Sequence, residues 1–150
     1  MNNAELIKLA LSAREKSYSP YSGFAVGAAL LCKNGKVFTG CNIENSGYSA
    51  TNCAERTAFF KAVSEGEAEF EKIAVVGGNA EEKEPSEFCP PCGICRQVMR
   101  EFCNGDFEII IAKNETEYKT VTLEEILPLS FDKRDFSSST AMARSSASTP

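Results

Sequence analysis

Two hydrophobic rhythms alternate along the chain, and together they predict helices packed on a sheet. Leu6, Leu9, Ala10 and Ala13 recur at helical spacing among charged residues, so residues 3–16 read as an amphipathic helix with its charges on the opposite face. Pro20, Gly23 and their serines make Ser17–Gly23 a loop. From Phe24 to Cys32 nearly every position on both faces is apolar or small, the pattern of a strand covered above and below by helices. Gly27, Ala28 and Ala29 would let one of those helices come close. Asn34-Gly35 predicts a two-residue hairpin turn into a second strand, Lys36 to Glu44, in a register that sets Cys32 opposite Val37 and Cys41 opposite Ala28.

Helical spacing returns at Ala58, Phe59, Ala62 and Val63, with Asn52 as N-cap, Cys53 in the first helical position and an end near Gly66. Ile73 to Gly78 is a short continuous apolar strand. A long loop, Asn79 to Pro91, carries Glu81, Glu82 and Glu84, read as a solvated acidic run. Pro91 is placed to open the next helix, in which Ile94, Val98 and Phe102 recur every fourth residue. Strands follow at Phe107 to Lys113 and Tyr118 to Val121, joined by a turn near Asn114. Thr122 and Glu125 form a capping box for a last short helix that stops before Pro128. Residues 1–136 thus read as one domain, and the serine-rich stretch 137–150 as a disordered tail with little to bury.

Composition narrows the function. A formal charge of -5 argues against a nucleic-acid partner, which calls for a basic face. No apolar run approaches a membrane span, and Glu5, Lys8, Arg14 and Glu15 interrupt any secretory signal. Those features point to the cytoplasm, where thiols stay reduced. Seven cysteines in that setting read as metal ligands or small buried hydrophobes; Cys32, Cys41, Cys89 and Cys103 take the second reading. Histidine is absent, so a zinc site here must be built from thiols and carboxylates.

The candidate chemistry lies at two helix starts. Cys53-Ala54-Glu55-Arg56 puts a thiol and a carboxylate two residues apart, and Pro91-Cys92-Gly93-Ile94-Cys95 adds two thiols that share a helix face. Three thiolates leave a tetrahedral zinc with one open position, where Glu55 can shuttle protons for a water. Residues two apart on a helix point in opposite directions, so Cys53 must sit at the very end for both to serve one site. Three thiolates also overcharge the metal. Helix ends, Arg56 and Arg96 are the groups available to offset that charge. A C-x-x-C alone would equally suit a structural zinc knot or a redox dithiol, and a zinc-stabilised interaction module would need no Glu55.

With these residues in view, the chain resembles a small, zinc-dependent cytidine deaminase of the homotetrameric type. The blocks that carry the resemblance are Phe24–Leu30, Gly40–Asn45, Cys53–Ala58, Pro91–Gln97 and Glu125–Pro128, within a span from about Glu5 to Phe131. It implies an α/β fold, a three-layer α/β/α sandwich with a mixed central sheet. It implies one Zn2+ per subunit on Cys53, Cys92 and Cys95, with Glu55 as the catalytic proton shuttle and Arg56 donating to the thiolates. Substrate binding would fall to Phe24, Asn42, Glu44, Ala54 and Phe131, with Asn42 and Glu44 on the ribose 3′-hydroxyl. Phe131 would close a neighbouring subunit's pocket, so the active site would be shared. The implied reaction is hydrolytic deamination of cytidine and 2′-deoxycytidine by a zinc-activated water, in pyrimidine salvage. Pro90, where many relatives have serine, and the long acidic loop depart from the pattern.

Overall fold

The computed structural model describes residues 1–136; the serine-rich tail lies outside them. Helix α1 (Asn3–Arg14) starts with a capping box, Asn2 accepting from the Glu5 amide and the Glu5 carboxylate accepting from the Asn2 amide. Strand β1 (Phe24–Cys32) pairs antiparallel with both β2 (Val37–Cys41) and β3 (Phe70–Asn79). β4 (Glu108–Ala112) lies parallel to β3, and β5 (Tyr118–Thr122) antiparallel to β4, in the order β2-β1-β3-β4-β5. A parallel pair needs a crossover, and α3 (Gly93–Phe102) supplies it between β3 and β4. The remaining helices are α2 (Ala54–Ser64) and α4 (Leu123–Ile126).

Both faces of β1 are buried, as its residues require. On one face Ala29 and Leu31, with Ala74, Val76 and Ile110, pack against Leu6, Ile7 and Ala10 of α1. On the other, Ala28 and Leu30, with Ile73, Val75 and Ile109, pack against Ala58, Phe59 and Ala62 of α2 and Met99 of α3. The result is a mixed sheet between two helical layers. Gly27 makes the α1 layer possible: a Cβ there would collide with the Ala10 carbonyl and lie 2.6 Å from the Arg14 amide.

Three expectations need correction. The hairpin register is shifted by one residue, with Val37 opposite Leu31 and Cys41 opposite Gly27. A two-residue type I′ turn needs positive φ at both central residues, and only Gly35 (φ 92) supplies it. The chain instead turns over Lys33-Asn34-Gly35, with Gly35 N donating to Cys32 O (3.0 Å) and Cys32 N to Lys36 O (2.8 Å). Cys32 still faces the core and Cys41 does not, and all seven cysteines are free. The buried face of α1 is also rotated: it carries Ile7 and Arg14 rather than Leu9. In α3 the buried line is Cys95 and Met99, while Ile94 stays 62% exposed, because the helix turns its cysteine face inward.

Candidate metal centre

Local folding delivers the three thiols. Ile43 and Asn52 exchange backbone hydrogen bonds (2.9 Å each way), which closes residues 44–51 into a loop and feeds an extended chain into Cys53. Cys53 (φ -77, ψ 158) and Cys92 (φ -69, ψ 167) are the N-cap residues of α2 and α3. Asn52 therefore is not the cap and Pro91 does not open the helix; each helix begins one residue after its cysteine. This resolves the tension between Cys53 and Glu55. An N-cap residue has extended ψ, so its side chain leaves the helix end instead of following the helical spiral.

Cys95 reaches the same point from the first turn of α3. The Sγ atoms of Cys53, Cys92 and Cys95 lie within 4.8 Å of one another, and Cys53 and Cys92 are 3.8 Å apart. Zn–S bonds of about 2.3 Å at tetrahedral angles put ligand sulfurs about 3.8 Å apart, so the donor set fits zinc. Cys53, Cys92 and Cys95 form the one such cluster among the described residues.

Charge around the sulfurs is arranged for thiolates. The Cys53 thiol is drawn down to about 5, chiefly by a hydrogen bond from Cys95 and further by Arg56, whose Nη2 is 3.3 Å from its sulfur. Cys95, its partner in that hydrogen bond, is pushed up by the same bond and by burial. Burial works against the Arg56 guanidinium, but its hydrogen bonds to Cys53 and Cys95 outweigh it and hold the charge. Its Nε is buried with no hydrogen-bond partner among the described residues, so the sulfur contact is made by Nη2. Arg96 does not join it. Its Nε donates to Pro91 O (2.8 Å) and its Nη1 to Ile126 O (2.7 Å), tying the last residue of α4 to the residue before Cys92.

Glu55 sits one residue into α2, only 4% exposed. Burial pushes its carboxyl up to about 7, opposed by its own backbone amide. A buried carboxyl beside three sulfurs, able to hold or release a proton near neutral pH, is equipped for proton transfer.

Residues 1–111 match the family model for the cytidine and deoxycytidylate deaminase zinc-binding region. The chain belongs to this deaminase family. It is 49% identical over 137 residues to a cytidine deaminase of Sporosarcina psychrophila, covering 91% of this chain and 96% of that protein. To the cytidine deaminase of Halalkalibacterium halodurans it is 50% identical over 135 residues, 90% of this chain and 98% of the relative. The crystal structure of cytidine deaminase from Burkholderia pseudomallei superposes with a TM-score of 0.79 at 44% identity, over 87% of this chain and 100% of that one.

In this deaminase the other residues marked by sequence are spread around the cysteines. Ala54 is fully buried between Cys53 and Glu55. Phe24, at the start of β1, is 42% exposed and lines a hollow of about 360 Å³ with Gly77, Gly78 and Phe88. Asn42 is buried against it: Oδ1 accepts from Val26 N (2.9 Å) and Ser17 Oγ (2.5 Å), and Nδ2 donates to Phe24 O (2.8 Å). Glu44 accepts from the amides of Tyr21 (2.9 Å) and Ser22 (3.1 Å) and from the Ser22 hydroxyl, and those bonds lower its pKa, the hydroxyl first. Phe131 follows α4 and meets α3 and its own C-terminal neighbour. Its carbonyl accepts from Gln97 Nε2 (2.8 Å), its ring meets Phe136 edge-on at 5.2 Å, and its side remains 55% exposed.

Two positions besides the cysteines and carboxylates shape the site. Pro91 is fully buried behind Cys92. Gly40 lets β2 meet the first turn of α2, since a Cβ there would lie 2.5 Å from Ala54 O and 2.6 Å from Ala58 N. Its signal was a small residue in a strand facing a helix start. Gly40→Val must push Ala54 and Glu55 out of place, so we expect a loss of about 1–3 kcal/mol in denaturant unfolding. An unchanged unfolding midpoint would show that the sheet and α2 are not in close contact there.

Proposed function

We propose that the chain hydrolyses cytidine and 2′-deoxycytidine to uridine and 2′-deoxyuridine, with release of ammonia. The observation that carries this reading is the buried Glu55 beside three convergent thiols, in a member of this family. Zinc held by Cys53, Cys92 and Cys95 would supply an activated water at neutral pH. Glu55 carries the protons: to ring N3, then to the departing amino group at C4, so that ammonia rather than amide leaves. Arg56 and the N-termini of α2 and α3 offset the sulfur charge.

The sugar is recognised by what Asn42 and Glu44 have left to offer. A carboxylate can accept about four hydrogen bonds and the Glu44 carboxylate receives three, which leaves it one. Asn42 Nδ2 spends one N–H on Phe24 O and keeps one to donate. A single hydroxyl that donates to Glu44 and accepts from Asn42 completes both, and the ribose 3′-hydroxyl has that capacity. A 3′-phosphate in its place would face the Glu44 charge, which together with the net charge of -5 disfavours nucleic acid. We expect 3′-deoxycytidine, and Glu44→Gln with cytidine, each to raise KM about tenfold or more with a smaller change in kcat. Equal KM values for cytidine and its 3′-deoxy analogue would remove Asn42 and Glu44 from recognition.

Phe24 and the Ala54 amide lie beside the base. The exposed Phe131 closes the pocket of a neighbouring subunit in a homotetramer, a role its half-exposed ring leaves open in a single chain. No helix among the described residues is long and apolar enough to cross a membrane, and reduced thiols suit a cytoplasmic enzyme of pyrimidine salvage. Incubation with cytidine tests the reading: ultraviolet absorbance shifts to that of uridine as ammonia appears in equal amount. Bound zinc without either change would leave a zinc-stabilised module instead.

A further inference from the structure

Arg14 is a buried cation outside the metal centre. At the end of α1 it is 6% exposed, and its fork is spent on backbone carbonyls of three separate segments. Nε donates to Ala25 O (3.0 Å) beside Phe24, Nη2 to Asn79 O (2.6 Å) at the end of β3, and Nη1 to Glu82 O (2.9 Å) and Lys83 O (3.4 Å) in the acidic loop. That loop has few apolar side chains to anchor it, and Glu81, Glu82 and Glu84 are exposed. The loop is also tied at its start, where the Ala80 amide donates to Gly23 O (2.8 Å), and again further on. Pro85 is buried in the space left by Gly78, and the Phe88 ring is held by the ammonium groups of Lys113 (4.7 Å) and Lys119 (4.5 Å).

The two sides of the hollow beside Phe24 are these same segments, β1 on one side and the loop with Ser86 and Phe88 on the other. We infer that Arg14 is a positioning residue for nucleoside binding: it clamps the 79–88 loop to the start of β1 and so sets the width of the hollow beside Phe24. This rests on the deaminase reading only for the identity of the ligand. A lysine cannot replace it, because one ammonium cannot reach carbonyls fanned across three segments. Loss of the guanidinium leaves those carbonyls short of a donor, and the loop then moves away from β1.

The test compares Arg14→Lys and Arg14→Met with the wild type, each zinc-loaded and well below its melting temperature. We expect KM for cytidine to rise about tenfold, kcat to stay within about threefold, and zinc content to be unchanged. Amide hydrogen exchange should quicken about tenfold or more at residues 80–88 while Leu6–Ala10 and β3 keep their protection. A folded variant with unchanged KM, or exchange that quickens evenly over α1 and β3, overturns the clamp. Should both variants fail to fold, Pro85→Gly loosens the same loop at a point Arg14 does not touch; it must reproduce the KM rise, and unchanged KM overturns the inference. If the wild-type chain does not deaminate cytidine, the substrate reading fails while the exchange pattern still decides whether Arg14 holds the loop.

Discussion

Glu55→Ala retains its zinc and loses about 10³-fold or more in kcat with cytidine. Positioned general acid–base groups contribute about 10²–10⁴-fold, and 10³-fold corresponds to about 4 kcal/mol of barrier. The loss falls in the middle of that range or above because one carboxylate serves both the ring nitrogen and the leaving amine. Nothing else in the described cluster can substitute: Arg56 is committed to sulfur and Cys95 is buried behind it. Zinc stays because its donors are the three sulfurs, which the substitution does not touch. Metal analysis beside steady-state kinetics checks both halves. Turnover within tenfold of wild type would take Glu55 out of the mechanism, and loss of zinc would make it a ligand.

Cys95→Ser, or dialysis against a chelator, abolishes turnover and lowers stability together. Hydroxyl is a poor zinc donor, and two sulfurs at helix starts hold the ion far less tightly than three. Metal bound only to the folded chain contributes to folding free energy, so the apparent stability should fall by about 3 kcal/mol or more. Cys103→Ser provides the comparison. Cys103 lies at the other end of α3, its thiol pushed up by burial, and its variant should keep zinc and activity. Calorimetry with metal analysis separates the two cases, and restored activity on adding zinc to the chelated wild type completes the test. A Cys95→Ser protein that binds zinc and turns over as well as wild type would dismiss the three-sulfur site.

Much of this arrangement was legible because each decisive residue has few alternatives. In a chain without histidine, Cys53-Ala54-Glu55 and Pro91-Cys92-Gly93-Ile94-Cys95 can assemble an open zinc site only from those thiols, and they do converge. The apolar faces of β1 required helices on both sides, and α1, α2 and α3 are there. Other details depend on geometry finer than residue type. Asn34-Gly35 is compatible with two turns that differ by one residue, and the backbone of Asn34 selects the longer one. Asn52 is a better capping residue by type than Cys53, yet the extended chain that leaves the Ile43–Asn52 bridge runs on through Cys53, so the helix starts after the cysteine. Arg96 and Arg56 look equivalent beside their cysteines; only packing sends one to backbone carbonyls and the other to sulfur.

Arg14 shows the boundary most plainly. Four residues after Ala10, it lies on the apolar face by helical spacing, and its charge would ordinarily assign it to water. What keeps it inside is a set of carbonyls from Ala25, Asn79, Glu82 and Lys83, and no local rule brings those together. The sequence by itself determined the layered fold, the metal donors and the carboxylate, because periodicity and donor chemistry are properties of residues close along the chain. The tertiary structure alone decided which helix positions the thiols occupy, which arginine faces sulfur and what holds the acidic loop, because those depend on contacts between residues distant in sequence.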